Sequence, residues 1–339
     1  MRNVMSLTKI SGYLFVTLLI YLLVCAIASI TPIFMNVLGL ATTNESVLSK
    51  QQEYYFRAPM RSIIQGDAGC VEADSELGYR QKLGDCHFKN FEFDTILKFD
   101  ENGSILDSSN QSNSKSKIIV VGDSHAMGWG VSYNETFSYI LSKYGYQVTN
   151  LSMSSYGTEQ EILSAISNKN FSSADTIIIQ YCNNDFGKNE KDISEYLEKE
   201  FNHYKKIKKS EFTIINKLHN AARFYLRNFS TTAFFKFPFQ IIKSSLKDIE
   251  QPTFDSIKHK EFVNNIISKY DDLSTKKIII FYANGHGAKF HNWNESLQGI
   301  DFVDLNLKRF HYNLIDDHLN KNGHDYIANS LHRLLTVKK

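Results

Sequence analysis

Four short blocks of this chain hold residue types suited to acyl chemistry. The first is Gly122-Asp123-Ser124-His125, preceded by Lys117-Ile118-Ile119-Val120-Val121. That β-branched apolar run reads as a buried parallel strand. Ala126-Met127-Gly128-Trp129-Gly130 follows, then Glu135-Thr136-Phe137, where a helical pattern begins. A serine at a strand-to-helix junction sits at a sheet edge, where a helix N-terminus offers backbone N–H groups and partial positive charge. A nucleophile whose reaction builds an oxyanion gains from that place. The tetrapeptide also suits a plain turn with a helix cap, for which Asp and Ser are both favoured.

The second block, Asn150-Leu151-Ser152-Met153-Ser154-Ser155-Tyr156-Gly157, is a strand end followed by a glycine loop. Glycine lets backbone approach a ligand closely, so the Gly157 N–H can point into a site. The third block, Thr176-Ile177-Ile178-Ile179-Gln180-Tyr181-Cys182-Asn183-Asn184-Asp185, is another buried strand ending in polar groups. Open α/β sheets bind ligands beyond such strand ends. An Asn amide there can donate to developing negative charge, although Asn-Asn-Asp also forms Asx turns. The fourth block, Asp316-Asp317-His318, precedes a C-terminal amphipathic pattern. Its imidazole can take a serine proton near neutral pH, and a carboxylate can fix the imidazole tautomer.

In this order and strand context, the blocks resemble the SGNH/GDSL hydrolase family. The Ser, Gly, Asn and His of that name fall on Ser124, Gly157, Asn184 and His318. The resemblance runs from about Lys117 to the C-terminus, with an insertion. It implies a three-layer α/β/α fold with a mostly parallel five-stranded sheet. It also implies a Ser124–His318–acid arrangement, with Ser124, Gly157 and Asn184 forming the oxyanion hole. His125 stands where leucine or phenylalanine is common, and Cys182 where glycine is usual. The usual Asp, three residues before the His, is replaced by Ile315. Some branches use Asp-x-His instead, which maps onto Asp316. Asp317 is the alternative acid, although on an extended segment a neighbour of His318 points elsewhere.

The implied activity is hydrolysis of acyl esters, acetyl esters among them, on a cell-surface glycan or lipid. Acyl transfer to a surface polysaccharide would use the same residues. A non-catalytic glycan-binding protein on the retained fold is the third reading. No phosphate loop or dinucleotide fingerprint appears, and no cofactor is implied. His286 and His291 match no strong zinc spacing, so no metal is expected. His324, in Gly323-His324, reads as a packing residue.

The elements that must carry these residues follow a βα rhythm. Strands are expected at Lys117–Val121, Gln147–Met153, Thr176–Tyr181, Lys277–Tyr282 and Phe302–Leu305, with helices on both faces of a parallel sheet. The chain has 339 residues and is 42% hydrophobic, enough for one catalytic domain of about 200 residues plus appendages. A net charge of +2 gives no bulk preference for nucleic acid. The expected organisation is an N-terminal segment at 1–41, an appendage of short strands at 42–116, and a hydrolase-like domain at 117–339. The appendage ends in a Ser/Asn-rich linker at 108–116. The domain carries a mostly helical insertion at about 190–274, whose basic and aromatic residues suit a membrane interface, a lid or a solvated helical face.

No charged residue lies between Lys9 and Glu45. The apolar run from Ile10 to Ile30 reaches the roughly 20 residues of a bilayer span. Arg2 and Lys9 precede it, which sets the N-terminus in the cytoplasm and the rest outside. Ala26-Ile27-Ala28 also fits a signal-peptide cleavage site, and a lipoprotein reading through Cys25 is opposed by the bulk of Val24. The continued apolar run through Ile33-Phe34-Met35 and Val37-Leu38 favours an uncleaved anchor. Every version exports the domain, where disulfides are permitted. Cys70 and Cys86 are the expected pair, closing a loop whose constraint is worth about 3 kcal/mol. Cys182 stays a free packing residue.

Overall fold

The computed structural model describes residues 7–38, 48, 51–52, 55–56, 63–90, 92–100, 116–186, 193–206, 253–285, 288–297 and 299–336. Most of the expected linker at 108–116, the insertion core at 207–250, and His286 lie outside these residues. Backbone contacts divide the chain into Met1–Arg61 with Phe212–Glu250, and Ser62–Glu211 with Gln251–Lys339.

The described part of the first unit is dominated by helix α1 (Leu7–Leu38). Side chains are described over 12–27, where Tyr13, Leu14, Phe15, Leu19 and Leu23 are exposed. Among the described residues, no helix is long and apolar enough to cross a membrane.

The second unit begins with two antiparallel hairpins, β1 (Val71–Asp74) with β2 (Gly78–Gln81), and β3 (Gly84–Lys89) with β4 (Asp94–Phe99). In β4, Thr95, Leu97 and Phe99 point inward. Cys70 and Cys86 are joined by a disulfide that ties β3 to the start of β1.

The α/β part then runs β5 (Lys117–Val121), α2 (Ser124–Met127), α3 (Phe137–Lys143), β6 (Gln147–Asn150), α4 (Thr158–Ile166), β7 (Thr176–Tyr181) and α5 (Ile193–Tyr204). It continues with β8 (Thr253–Phe254), α6 (Ser256–Ile267), β9 (Lys277–Tyr282), β10 (Lys289–Phe290), β11 (Glu295–Leu297), β12 (Ile300–Val303) and α7 (Lys321–Thr336). The main sheet has six strands in the order β11-β12-β9-β7-β5-β6, not five. Five are parallel, and the added edge strand β11 is antiparallel to β12. β11 is three residues long and mostly exposed, so it carries no apolar run to mark it.

Alternation along the strands builds the three layers. Ile119, Val121, Ile177, Ile179, Ile278 and Ile280 face a core closed by Ile162 of α4 and Val263 and Ile266 of α6. Ile118, Val120, Ile178, Ile279 and Phe281 face the other core, closed by Phe137 of α3 and Ile327 and Leu331 of α7. A third core joins the hairpins to the α/β part: Cys86, Phe88, Leu97 and Phe99 pack with Met127, Trp129, Met153 and Tyr156. The hairpins and the loops at the C-terminal edge of the sheet are therefore packed as one body.

Candidate active site

β5 delivers Ser124 through a tight turn. A Cβ on Gly122 would lie 2.7 Å from Ala126 Cβ and 2.8 Å from Gln180 Oε1, so only glycine fits. Asp123 caps the following turn, its carboxylate accepting from the His125 N–H at 2.9 Å. That helix is only four residues, Ser124–Met127. Because the macrodipole is a sum over aligned peptides, the expected field at a helix N-terminus is small here. The turn is held from the neighbouring strand instead. Gln180 Oε1, fully buried on β7, accepts from the N–H groups of Asp123 (3.1 Å) and Ala126 (3.2 Å). Asn150 at the end of β6 donates to Ala126 O at 3.0 Å.

Ser124 Oγ lies 2.8 Å from His318 Nε2, and His318 Nδ1 lies 2.5 Å from Asp316 Oδ1. A carboxylate only accepts, so Nδ1 carries the hydrogen, and in its neutral form the ring presents a lone pair at Nε2 to the serine hydroxyl. The His318 side chain is 13% exposed and that of Asp316 is fully buried. Asp317 takes a left-handed backbone (φ 72°), which turns its carboxylate away. Its Oδ2 lies where a Cβ on Gly285 would stand, 2.0 Å from that position. Ile315, at the usual acid position, is buried in the core.

Aromatic rings fix the imidazole plane. Trp129 stacks on His318 with ring centroids 4.8 Å apart and planes at 18°. The His125 ring lies 4.9 Å from that of His318. Burial lowers the pKa of His125 to about 4, against the pull of Asp123, so near neutral pH it puts no positive charge beside the His318 ring.

The loop carrying Gly157 is wired to the hairpins. Gln81 Nε2 donates to Ser152 O at 2.6 Å, and the Tyr79 hydroxyl donates to Ser154 O at 2.8 Å. Gln65 Nε2 donates to the hydroxyls of Ser154 and Ser155, each at 2.7 Å. Gly157 is buried and stands at the N-cap of α4. Asn184 is exposed in the turn after β7, and its Nδ2 lies 3.4 Å from Asp123 Oδ2. The resting amide thus faces a carboxylate beside the serine. Asn183 is held separately, its N–H donating to Asn284 Oδ1 at 2.9 Å.

The remaining sequence candidates fall outside this cluster or serve packing. Cys182 is buried, its Sγ 3.6 Å from Asn183 Oδ1. His324 is buried against Phe137, accepts that residue's N–H at Nδ1 (3.2 Å), and is held by burial at a pKa of about 3. His291 is exposed. Among the described residues, no group of three or more His, Cys, Asp or Glu could hold a metal ion. Gln180, Asn150, Gln65, Gln81 and Trp129 position the site, although the sequence assigns none of them a role. The only signal for Gln180 is a polar residue inside an otherwise apolar strand.

No family model matches the chain, and no curated protein matches it. Among solved structures it is similar to a chain from Bacteroides ovatus described as a GDSL-like lipase, with 14% identity and a TM-score of 0.26 over 67% of this chain and 56% of that one. It is similar to a salicylyl-acyltransferase from a tetracycline biosynthetic pathway, with 15% identity and a TM-score of 0.26 over 66% of this chain and 56% of that one. This chain thus covers little more than half of either protein. Likeness at that level bears on neither substrate nor reaction.

Proposed function

We propose that this chain is an SGNH/GDSL-type serine esterase that removes acyl groups, acetyl among them, from a cell-surface glycan or lipid. The observation that carries the reading is the continuous hydrogen-bond chain from Ser124 Oγ through His318 to Asp316. Ser124 Oγ attacks the ester carbonyl carbon while His318 Nε2 takes its proton. Asp316 holds the resulting imidazolium. The tetrahedral oxyanion is met by the N–H groups of Ser124 and Gly157 and by Asn184 Nδ2, which leaves Asp123 to reach it. Collapse breaks the bond to the alcohol, which departs with the proton from His318. Water then attacks the acyl-enzyme with His318 again as base, releasing the acid and restoring the serine.

On the same reading the enzyme works outside the cytoplasm, exported through its N-terminal segment. The charge-free stretch between Lys9 and Glu45 supports export. The Cys70–Cys86 disulfide fits an oxidising compartment. Cleavage after export would leave the chemistry unchanged.

The test is to treat the full chain in detergent with a fluorophosphonate and locate the adduct by mass spectrometry, with Ser124→Ala and His318→Ala alongside. A single adduct on Ser124 that needs His318 is expected, together with hydrolysis of acetyl esters. Labelling without hydrolysis, with acyl groups moving onto an added glycan, would make the enzyme a transferase. A well-folded chain that takes no adduct would sink the enzymatic reading in favour of glycan binding.

A further inference from the structure

The loop that carries Asp316 and His318 is anchored from outside the α/β part. Tyr312 and Leu319 form an antiparallel bridge, and the Asn313 N–H donates to His318 O at 2.8 Å. The tip between them is grasped from two sides. Arg309 donates to Asn313 O at 3.0 Å and to Leu314 O at 2.8 Å. On the other side, three consecutive N–H groups converge on one carboxylate. Leu314 N donates to Glu92 Oε1 at 2.8 Å, and Ile315 N and Asp316 N donate to Glu92 Oε2 at 2.6 Å each.

Glu92 belongs to the turn between β3 and β4, more than two hundred residues upstream of these partners. Its hairpin is fastened by the Cys70–Cys86 disulfide and packed on Trp129 through Phe88, with ring centroids 4.5 Å apart. We propose that Glu92 is a positioning residue for the acid–base pair, whose carboxylate fixes the 314–316 backbone and so sets Asp316 at hydrogen-bonding distance from His318, and His318 from Ser124. The inference rests on the esterase reading for its consequence, but the clasp itself is independent of substrate.

Burial raises the pKa of Glu92 and the like charge of Asp316 adds to that rise, while the three N–H donors oppose it. The three contacts fix the 314–316 backbone that carries Asp316. Displacement of a catalytic group by about 1 Å can cost on the order of 10²-fold in rate.

The experiment compares the full chain in detergent with Glu92→Gln and Glu92→Ala. It measures ester kcat and KM across pH, the rate of fluorophosphonate labelling, the melting temperature, and the His318 imidazole signals by NMR, assigned with His318→Ala. For Glu92→Ala, kcat and labelling are expected to fall on the order of 10²-fold with KM within about twofold, and the hydrogen-bonded His318 Nδ1–H signal to weaken. Glu92→Gln keeps one acceptor oxygen and should fall between the two. If Glu92→Ala does not fold, Glu92→Gln carries the test. Folded variants with unchanged kcat, pH profile and His318 signals would overturn the proposal. If the unaltered chain neither hydrolyses esters nor labels, the esterase reading fails, and the His318 signals alone decide whether Glu92 positions the ring.

Discussion

The indole of Trp129 lies over the imidazole of His318, with centroids 4.8 Å apart and planes within 18°. The contact has two consequences. It fixes the ring against rotation about the bond that would swing Nε2 off Ser124. It also places a π face against a ring that becomes cationic during the reaction, an interaction worth about 2 kcal/mol when desolvated. A flat ring therefore serves where an aliphatic residue of similar bulk does not. Trp129→Phe should retain most of kcat, and Trp129→Leu should lose about tenfold or more with little change in KM. Equal kcat in the two variants would show that bulk alone is needed.

Asp316 and Asp317 are neighbours with opposite fates. The Asp316 carboxylate meets His318 Nδ1, whereas the left-handed backbone at Asp317 sends its side chain toward Gly285. An amide at 316 can present its NH2 to Nδ1, which favours the wrong tautomer, a change that costs about 10⁴-fold in a comparable triad. Asp316→Asn should approach that loss in kcat, and Asp317→Asn should stay within about tenfold of the parent. Steady-state kinetics on any activated acetyl ester separates them. A larger loss at 317 would exchange the two roles.

How much of this is legible in the sequence depends on contact range. The strands bearing Ser124 and Asn184 announce themselves as apolar runs ending in polar residues, because both their faces are buried. The Asp316–His318 pairing is local in the chain, so spacing suffices. Gln180, Gln81 and Glu92 act across the fold, on partners at Asp123, Ser152 and Leu314. No local pattern can point to such pairs. β11 escapes for a different reason: an exposed three-residue edge strand has no periodicity to read. The one-turn helix at Ser124 escapes because Gly128, in the left-handed region at φ 94°, stops it at once.

Gln180 offers a direct test of how the nucleophile turn is held. One side-chain oxygen satisfies two buried backbone donors, those of Asp123 and Ala126. Leaving a buried donor unpaired costs about 1–3 kcal/mol. Gln180→Leu should lower unfolding free energy by about 2–4 kcal/mol and slow labelling of Ser124. Gln180→Glu keeps the acceptor and should recover part of the labelling rate. Urea unfolding and labelling kinetics measured together check both. Normal labelling in a destabilised Gln180→Leu variant would limit the residue to a structural part.

Acid sensitivity follows from two buried imidazoles. Burial lowers His125 from its usual 6.5 to about 4, and His324 to about 3. His125 is faced by Asp123, Asp316 and Asp317, which favour its charge, and by His318, which opposes it. The folded state thus keeps both rings neutral where the unfolded chain takes up protons. Their contribution is whole above pH 6.5 and is lost as pH falls toward the folded values, by about 3 kcal/mol per ring at pH 4. Unfolding free energy measured from pH 7 to pH 4 should fall accordingly. His324→Gln retains an acceptor for the Phe137 N–H but no titrating ring. It should be less stable than the parent at pH 7, with a shallower decline on acidification. An unchanged slope in that variant would assign the acid sensitivity to the carboxylates instead.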